Sequence, residues 1–220
     1  MSEVIRRGVQ VDWGYGMVDW SNSRRANEFS ALVGNARDMK YQASISSGKL
    51  SKNLVVEVDG KKYFVGDLAR RQTDSVVIDL NEDRYDGKIA KVLIETALWF
   101  ACTNGDSHYL MTGLPINYFK THAVGLKKTL EGIHPVKVNG QEKKPNIEKV
   151  DIIPQPVAVA YDLIFDDNGK ITGETMLEKW RKTSNGYEKE MVAVSRKKLA
   201  MSQFGVADMG FGTTDLAVLS

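Results

Sequence analysis

The stretch Val11-Asp12-Trp13-Gly14-Tyr15-Gly16-Met17-Val18-Asp19-Trp20 has a counterpart in Ala207-Asp208-Met209-Gly210-Phe211-Gly212-Thr213-Thr214-Asp215-Leu216. Laid on each other, the first Asp, both glycines and the second Asp coincide, with an aromatic residue between the glycines each time. Apolar residues run into each copy (Val9 and Val11; Val206 and Ala207) and alternate out of the second (Leu216, Val218). That pattern predicts paired strands joined by a tight turn. Glycine in such a turn permits positive φ and lets backbone N–H groups approach a ligand with no Cβ in the way. Successive N–H groups form an anion-binding nest. An Asp at the strand end, just before the nest, is placed to hold a divalent cation, through water when the ion is Mg²⁺. Two copies facing each other would grip a metal-bound polyphosphate from both sides. The alternative is a pair of unrelated glycine-rich hairpin turns.

A chain of 220 residues buries a substantial core and fits one large or two small domains. Its 42% apolar and 26% charged residues are those of an ordinary globular protein. The net charge of +2, from 30 basic and 28 acidic residues, argues against direct electrostatic binding of nucleic acid. The single Cys102 excludes an internal disulfide framework and suits a reducing cytoplasm. The N-terminus lacks an apolar signal core. The longest apolar stretch, Val92 to Cys102, is interrupted by Glu95 and reads as a buried helix that does not span a membrane.

In chain order, Glu28 to Val33 reads as a short strand and Asp38 to Lys52 as a polar loop. Leu54 to Val58 and Lys62 to Val65 flank Asp59-Gly60-Lys61, a tight hairpin signal. Residues 30–85 read as a small lobe inserted into a larger domain. Asp86 to Thr103 carries a helical stripe (Ile89, Val92, Leu93, Thr96, Ala97, Phe100), with Asp86 as N-cap. Tyr109 to Thr112 reads as a buried strand, and Tyr118 to Leu130 as a second helix. Pro135 to Val138 and Ile147 to Ile153 read as a hairpin around Asn139-Gly140. Val157 to Phe165 reads as a helix with proline in its first turn. From Ile171 to Phe204 the charged, loosely patterned chain gives surface helices or strands around Asn185-Gly186. Within it, Arg196-Lys197-Lys198 reads as a solvated helix face. The whole predicts a mixed α/β layer structure, with ligands beyond the strand ends where both turns and the Pro154-Gln155 corner converge.

These residues carry a resemblance. Asp12-x-Gly14-Tyr15-Gly16 resembles the first phosphate loop of the actin, sugar-kinase and heat-shock-chaperone superfamily. Asp208-x-Gly210-Phe211-Gly212-Thr213-Thr214-Asp215 resembles the second, and Pro154-Gln155-Pro156-Val157-Ala158-Val159-Ala160 resembles the first connecting segment. Tyr63-Phe64-Val65-Gly66-Asp67-Leu68-Ala69 is similar to a stretch of the actin branch. Gly113-Leu114-Pro115, the long helix before it and the Asn139-Gly140 hairpin look most like the ParM/StbA group of plasmid-partitioning actins and their archaeal relatives.

The resemblance implies two ribonuclease-H-like domains around an ATP cleft, Mg²⁺-ATP binding, slow hydrolysis, and assembly with copies of itself into filaments. Those filaments would move plasmid DNA through a DNA-binding adaptor. It further implies that Asp12 and Asp208 hold the hydrated Mg²⁺, and that the backbone of Gly14, Tyr15 and Gly16 and of Gly210, Phe211, Gly212 and Thr213 cradles the phosphates. Gln155 would orient the attacking water, the role glutamine plays in other nucleotide hydrolases. The implied layout is an actin-like domain over 1–165, a connecting segment over 166–205, and the first hairpin of a truncated second domain over 206–220. On that layout the chain is the N-terminal portion of a longer protein, and its nucleotide pocket and turnover are impaired.

One position departs from the family. Its first loop continues to a lysine that reaches the phosphates, where this chain has Asp19. Arg24 or Arg25 would either replace that charge or stand solvated. The alternatives to a filament-forming ATPase are a sugar or small-molecule kinase on the same superfold and a non-catalytic structural actin relative. His108, His122 and His134 lie in separate elements with no ligand-like spacing, Cys102 reads as packing, and Trp13 and Trp20 read as core.

Overall fold

The computed structural model describes residues 6–36, 53–73, 87–166, 168–184, 186–209 and 214–219. The expected polar loop at 38–52, the N-cap at Asp86 and the phosphate-loop residues Gly210, Phe211, Gly212 and Thr213 lie outside the described residues. Asp208 enters through its backbone alone. The chain forms two compact units, one running through Ile153 and one from Pro154 through Met209 and again over 214–219.

The first unit opens with a meander, β1 (Arg6–Trp13), β2 (Met17–Asn22) and β3 (Arg25–Ser30). It continues through β4 (Val33–Asn35), β5 (Leu54–Val58), β6 (Lys61–Val65) and α1 (Asp67–Gln72). Then come α2 (Lys88–Ala101), β7 (Ser107–Leu114), α3 (Ile116–Leu130), β8 (Gly132–Ile133), β9 (Val136–Val138), β10 (Gln141–Lys143) and β11 (Asn146–Pro154). Two sheets result, a large one ordered β3-β2-β1-β7-β11-β8 and a small one ordered β10-β9-β5-β6-β4. β1 pairs antiparallel with β2 and parallel with β7.

Helix α2 lies between these sheets, in contact with β1 and β2 of one and β4, β5 and β9 of the other. That position explains its burial: 11 of its 14 residues are buried, well beyond one stripe, with Lys88 and Lys91 exposed in its first turn. Phe100 stacks on Trp20 at 5.4 Å and meets Trp99 edge-on at 5.1 Å. The orphan carbonyls at its C-terminus are taken by side chains. Asn22 Nδ2 donates to Ala101 (2.8 Å), and the Lys143 ammonium donates to Trp99 (2.6 Å) and Cys102 (3.1 Å). A cation at a helix C-terminus also answers the helix dipole.

Two details differ from the sequence reading. Residues 28–33 are not one strand: the chain bends at Ala31 and Leu32, both buried, and Val33 begins a strand of the small sheet. The Asn139-Gly140 hairpin joins β9 to β10, not to β11, which goes to the large sheet. The turn itself is as expected, since Asp59-Gly60 and Asn139-Gly140 both take paired positive φ values (50° and 72°, 49° and 82°).

The second unit contains α4 (Gln155–Ile164), β12 (Glu174–Thr183), β13 (Gly186–Ser195), α5 (Arg196–Ala200), β14 (Phe204–Met209) and β15 (Thr214–Leu219). The charged segment is therefore a long antiparallel ribbon, β12 with β13. A second ribbon, β14 with β15, packs on α4.

Candidate functional site

Asp12 on β1 is the cross-strand partner of Asp19 on β2, and Asp19 is the partner of Glu28 on β3. Side chains alternate between the faces of a sheet. Val11, Trp13, Val18 and Trp20 are buried against α2, so the three carboxylates share the opposite face. Cross-strand neighbours stand about 5 Å apart, close enough for like charges to repel. The row borders an open pocket of about 430 Å³, shared with Gln10 and Ser21, whose hydroxyl donates to Gln10 Oε1 (3.1 Å).

The Asp19 carboxyl is held above its ordinary pKa, first by burial, then by the charges of Asp12 and Glu28 and a hydrogen bond with Glu28. Glu28 is the site residue that sequence reading misses. In the sequence it marks only the start of a strand, and its face becomes visible once β3 is registered on β2.

The turn after Asp12 is tight for a reason other than the one expected. Gly14 does not take a positive φ; a Cβ there would stand 3.1 Å from the carbonyl oxygen of Met17. The Gly16 carbonyl accepts from the Ala31 N–H (2.9 Å), which ties the turn to the bend that leads into the small sheet. Arg25 does not bring its charge to the acidic row. As the partner of Asn22 it lies on the Trp20 face of the sheet, its guanidinium 5.7 Å from the Trp20 ring. Arg24 sits in the turn that Asn22 Oδ1 closes by accepting from the backbone N–H groups of Arg24 and Arg25.

In the second unit Asp208 on β14 is the cross-strand partner of Asp215 on β15, the register that Asp12 and Asp19 adopt. Gln155 opens α4 directly after Pro154, with Pro156 in the first turn, where the missing N–H breaks no helical bond. The far end of α4 is closed by Arg196, whose Nη1 donates to the carbonyls of Asp162 (3.0 Å), Leu163 (2.9 Å) and Phe165 (2.5 Å). This corrects the reading of Arg196 as a solvated residue. The structure thus gathers Asp12, Gly14, Tyr15 and Gly16 on one hairpin, and places Gln155 and Asp208 in the other unit. Among the described residues no group of three or more His, Cys, Asp or Glu side chains is arranged to hold a metal ion by itself.

The family model for the N-terminal domain of actin-like proteins matches residues 11–157, two-thirds of the chain. The chain belongs to the actin-like proteins. Its fold is similar to that of apo ParM from pSK41, with a TM-score of 0.64 and 18% identity over 86% of this chain and 64% of that one. It is similar to a non-polymerisable quadruple mutant of pCBH ParM, with a TM-score of 0.60 and 19% identity over 87% of this chain and 64% of that one. The archaeal actin homologue Ta0583, in complex with ADP, aligns at a TM-score of 0.56 and 18% identity, over 87% of this chain and 57% of that one. An AlfA filament bound to AMPPNP aligns at 0.51 and 12% identity, over 87% and 70%. This actin-like chain thus spans less than two-thirds of the length of the ParM and Ta0583 structures it resembles. No curated protein sequence matches it. No helix among its described residues is long and apolar enough to cross a membrane.

Proposed function

We propose that this chain is the N-terminal, nucleotide-binding portion of a filament-forming actin-like ATPase that serves plasmid DNA segregation. The observation that carries the reading is the repeated register: two antiparallel strands that flank a glycine-bearing stretch of sequence, with an Asp paired to an Asp across the strands, at Asp12/Asp19 and at Asp208/Asp215. Oxygen donors suit Mg²⁺, and a bound cation would relieve the negative charge of Asp12 and Glu28 that adds to burial in raising Asp19. In this proposal Asp12 and Asp208 hold hydrated Mg²⁺, and the backbones of 14–16 and 210–213 cradle the phosphates of ATP. Gln155 orients the attacking water through its amide, since an amide is a poor base and acts by position. The ADP complex of Ta0583 and the AMPPNP-bound AlfA filament support a nucleotide and self-assembly. A DNA-binding adaptor completes the proposed partners, and the cytoplasm is the proposed location.

The test is sedimentation with and without Mg²⁺-ATP, paired with nucleotide binding by calorimetry. ATP-dependent pelleting that disappears in Asp208→Ala supports these roles. Equal ATP turnover in that variant refutes them.

A second reading, a structural actin relative with little turnover, is favoured by one observation. Asp19 stands on the same face as Asp12, in the place where the resemblance expects a phosphate-binding lysine. Tight nucleotide binding without measurable phosphate release would favour it.

A further inference from the structure

The ribbon β12–β13 pairs with no third strand among the described residues. Its register stacks four rows on one face: Met176 with Ala193, Glu178 with Met191, Trp180 with Lys189, and Lys182 with Tyr187. On that face Met176, Trp180, Tyr187 and Met191 are 53%, 61%, 68% and 49% exposed. Toward the tip, the other face pairs Lys179 with Glu190 and Arg181 with Glu188, an arrangement suited to water. An isolated two-stranded ribbon is marginal in water, and a contiguous run of exposed large apolar side chains marks an association surface.

We infer that this face is a self-association surface and that its occupant is the same ribbon of a second copy. The inference rests on the reading that the chain assembles, and adds to it where copies meet. The charges on the face select that occupant. Glu178 and Lys189 lie in adjacent rows and form an ion pair of 2.5 Å, each half exposed. Turning a second ribbon end for end and laying it face to face sets the Glu178 row over the Trp180 row. Glu178 then meets Lys189 of the second copy, and the reverse contact forms by symmetry, as in any isologous interface. Met191 lies over the aliphatic stem of the second copy's Lys189, and Trp180 lies beside that copy's Met191. A partner of uniform charge would oppose Glu178 or Lys189, whereas a second copy offers each the opposite charge, and Lys182 falls over the uncharged Met176 row.

The test uses the whole chain and reads assembly as the two-copy species in sedimentation velocity, since an isologous contact closes at two, with pelleting to report any longer polymer. Trp180→Ala and Tyr187→Ala raise the concentration needed for assembly roughly tenfold or more, as truncation of central aromatic anchors does. Glu178→Lys and Lys189→Glu each set like charges across the interface, so each variant alone stays unassembled. Mixing the two restores assembly, because each chain then offers the charge the other needs. A purely intrachain role for the pair cannot be rescued by mixing. Wild-type assembly by either single variant, or no recovery in the mixture, overturns the surface assignment and leaves assembly itself standing. Assembly indifferent to Trp180→Ala, with binding of a different protein lost instead, gives the face to that partner and also overturns it. Failure of the unaltered chain to assemble in any nucleotide state overturns both readings.

Discussion

His134 Nδ1 lies 2.9 Å from Glu95 Oε1, and the other ring nitrogen, Nε2, lies 2.8 Å from the Leu130 carbonyl. A carbonyl only accepts, and so does an ionised carboxylate, so this buried ring is built to donate from both nitrogens. Burial pushes the His134 pKa down, and the charge of Lys91 lowers it further. The Glu95 hydrogen bond and charge, with the Leu130 carbonyl, outweigh them and leave it raised. The pair contributes stability that is fully present below the ordinary histidine value and is lost as pH rises through the raised folded value. Denaturation midpoints of wild type and His134→Asn are therefore expected to converge as pH rises above the ordinary histidine value. Glu95→Ala, which leaves the imidazole buried without its partner, costs about 3 kcal/mol near neutral pH.

His108 makes the opposite demand. Its Nε2 accepts from the Thr103 N–H (3.1 Å) and its Nδ1 faces the Asn146 carbonyl (3.3 Å), so it is held as one neutral tautomer. Its pKa is lowered, first by burial and partly by Arg7 and Lys143, against the raising influence of Asn146 and Asp106. That contribution is present above the ordinary histidine value and is lost as pH falls through it toward the lowered folded value. His108→Gln is expected to flatten the acid limb of the stability profile measured by denaturant titration, and to leave the alkaline limb unchanged.

Asp19 carries an unfavourable charge, and a raised carboxyl means that the folded state gains stability as the group is protonated. Asp19→Asn is expected to raise the unfolding midpoint at neutral pH and to leave it unchanged once pH falls below the ordinary carboxylate value. A lower midpoint at neutral pH would mean that the carboxylate is already paired with a cation.

Cys102 is buried at the end of α2, and its thiol is pushed up to about 12, chiefly by burial, with Glu95 adding and Lys143 subtracting. Thiolate is the reactive species. At pH 8 the native chain is expected to resist a thiol-labelling reagent, and the chain in denaturant to react at once; equal rates would place the sulfur in solvent.

Arg196→Ala leaves three carbonyls at the end of α4 without their donor, and loss of hydrogen bonds from a charged group costs about 1.5–3 kcal/mol. Hydrogen exchange is expected to quicken across α4, β14 and β15 while the amides of β1 and β7 keep their protection. Uniform loss of protection would show that the two units unfold together.

Much of the fold is legible from spacing. The two turn motifs announce their hairpins because apolar residues alternate around them, and Asp59-Gly60 and Asn139-Gly140 each dictate a backbone that few other pairs adopt. What spacing does not reveal is set by partners distant in sequence. β12 and β13 carry charge on both faces toward the tip, so no period of two appears. β10 is the short polar run Gln141–Lys143 and becomes a strand by pairing with β9. Arg196 reads as solvent-facing because nothing local reveals that the end of α4 comes to it. Glu28 acquires meaning only through its register with Asp19.

The Arg196 clasp has a mechanical consequence. The residue sits where β13 ends, yet its guanidinium grips the last turn of the helix that starts with Gln155. One side chain thus ties the end of the ribbon to the end of that helix. Loss of that one side chain would therefore free the ribbon from the far end of the helix whose first residue is the proposed water-orienting Gln155.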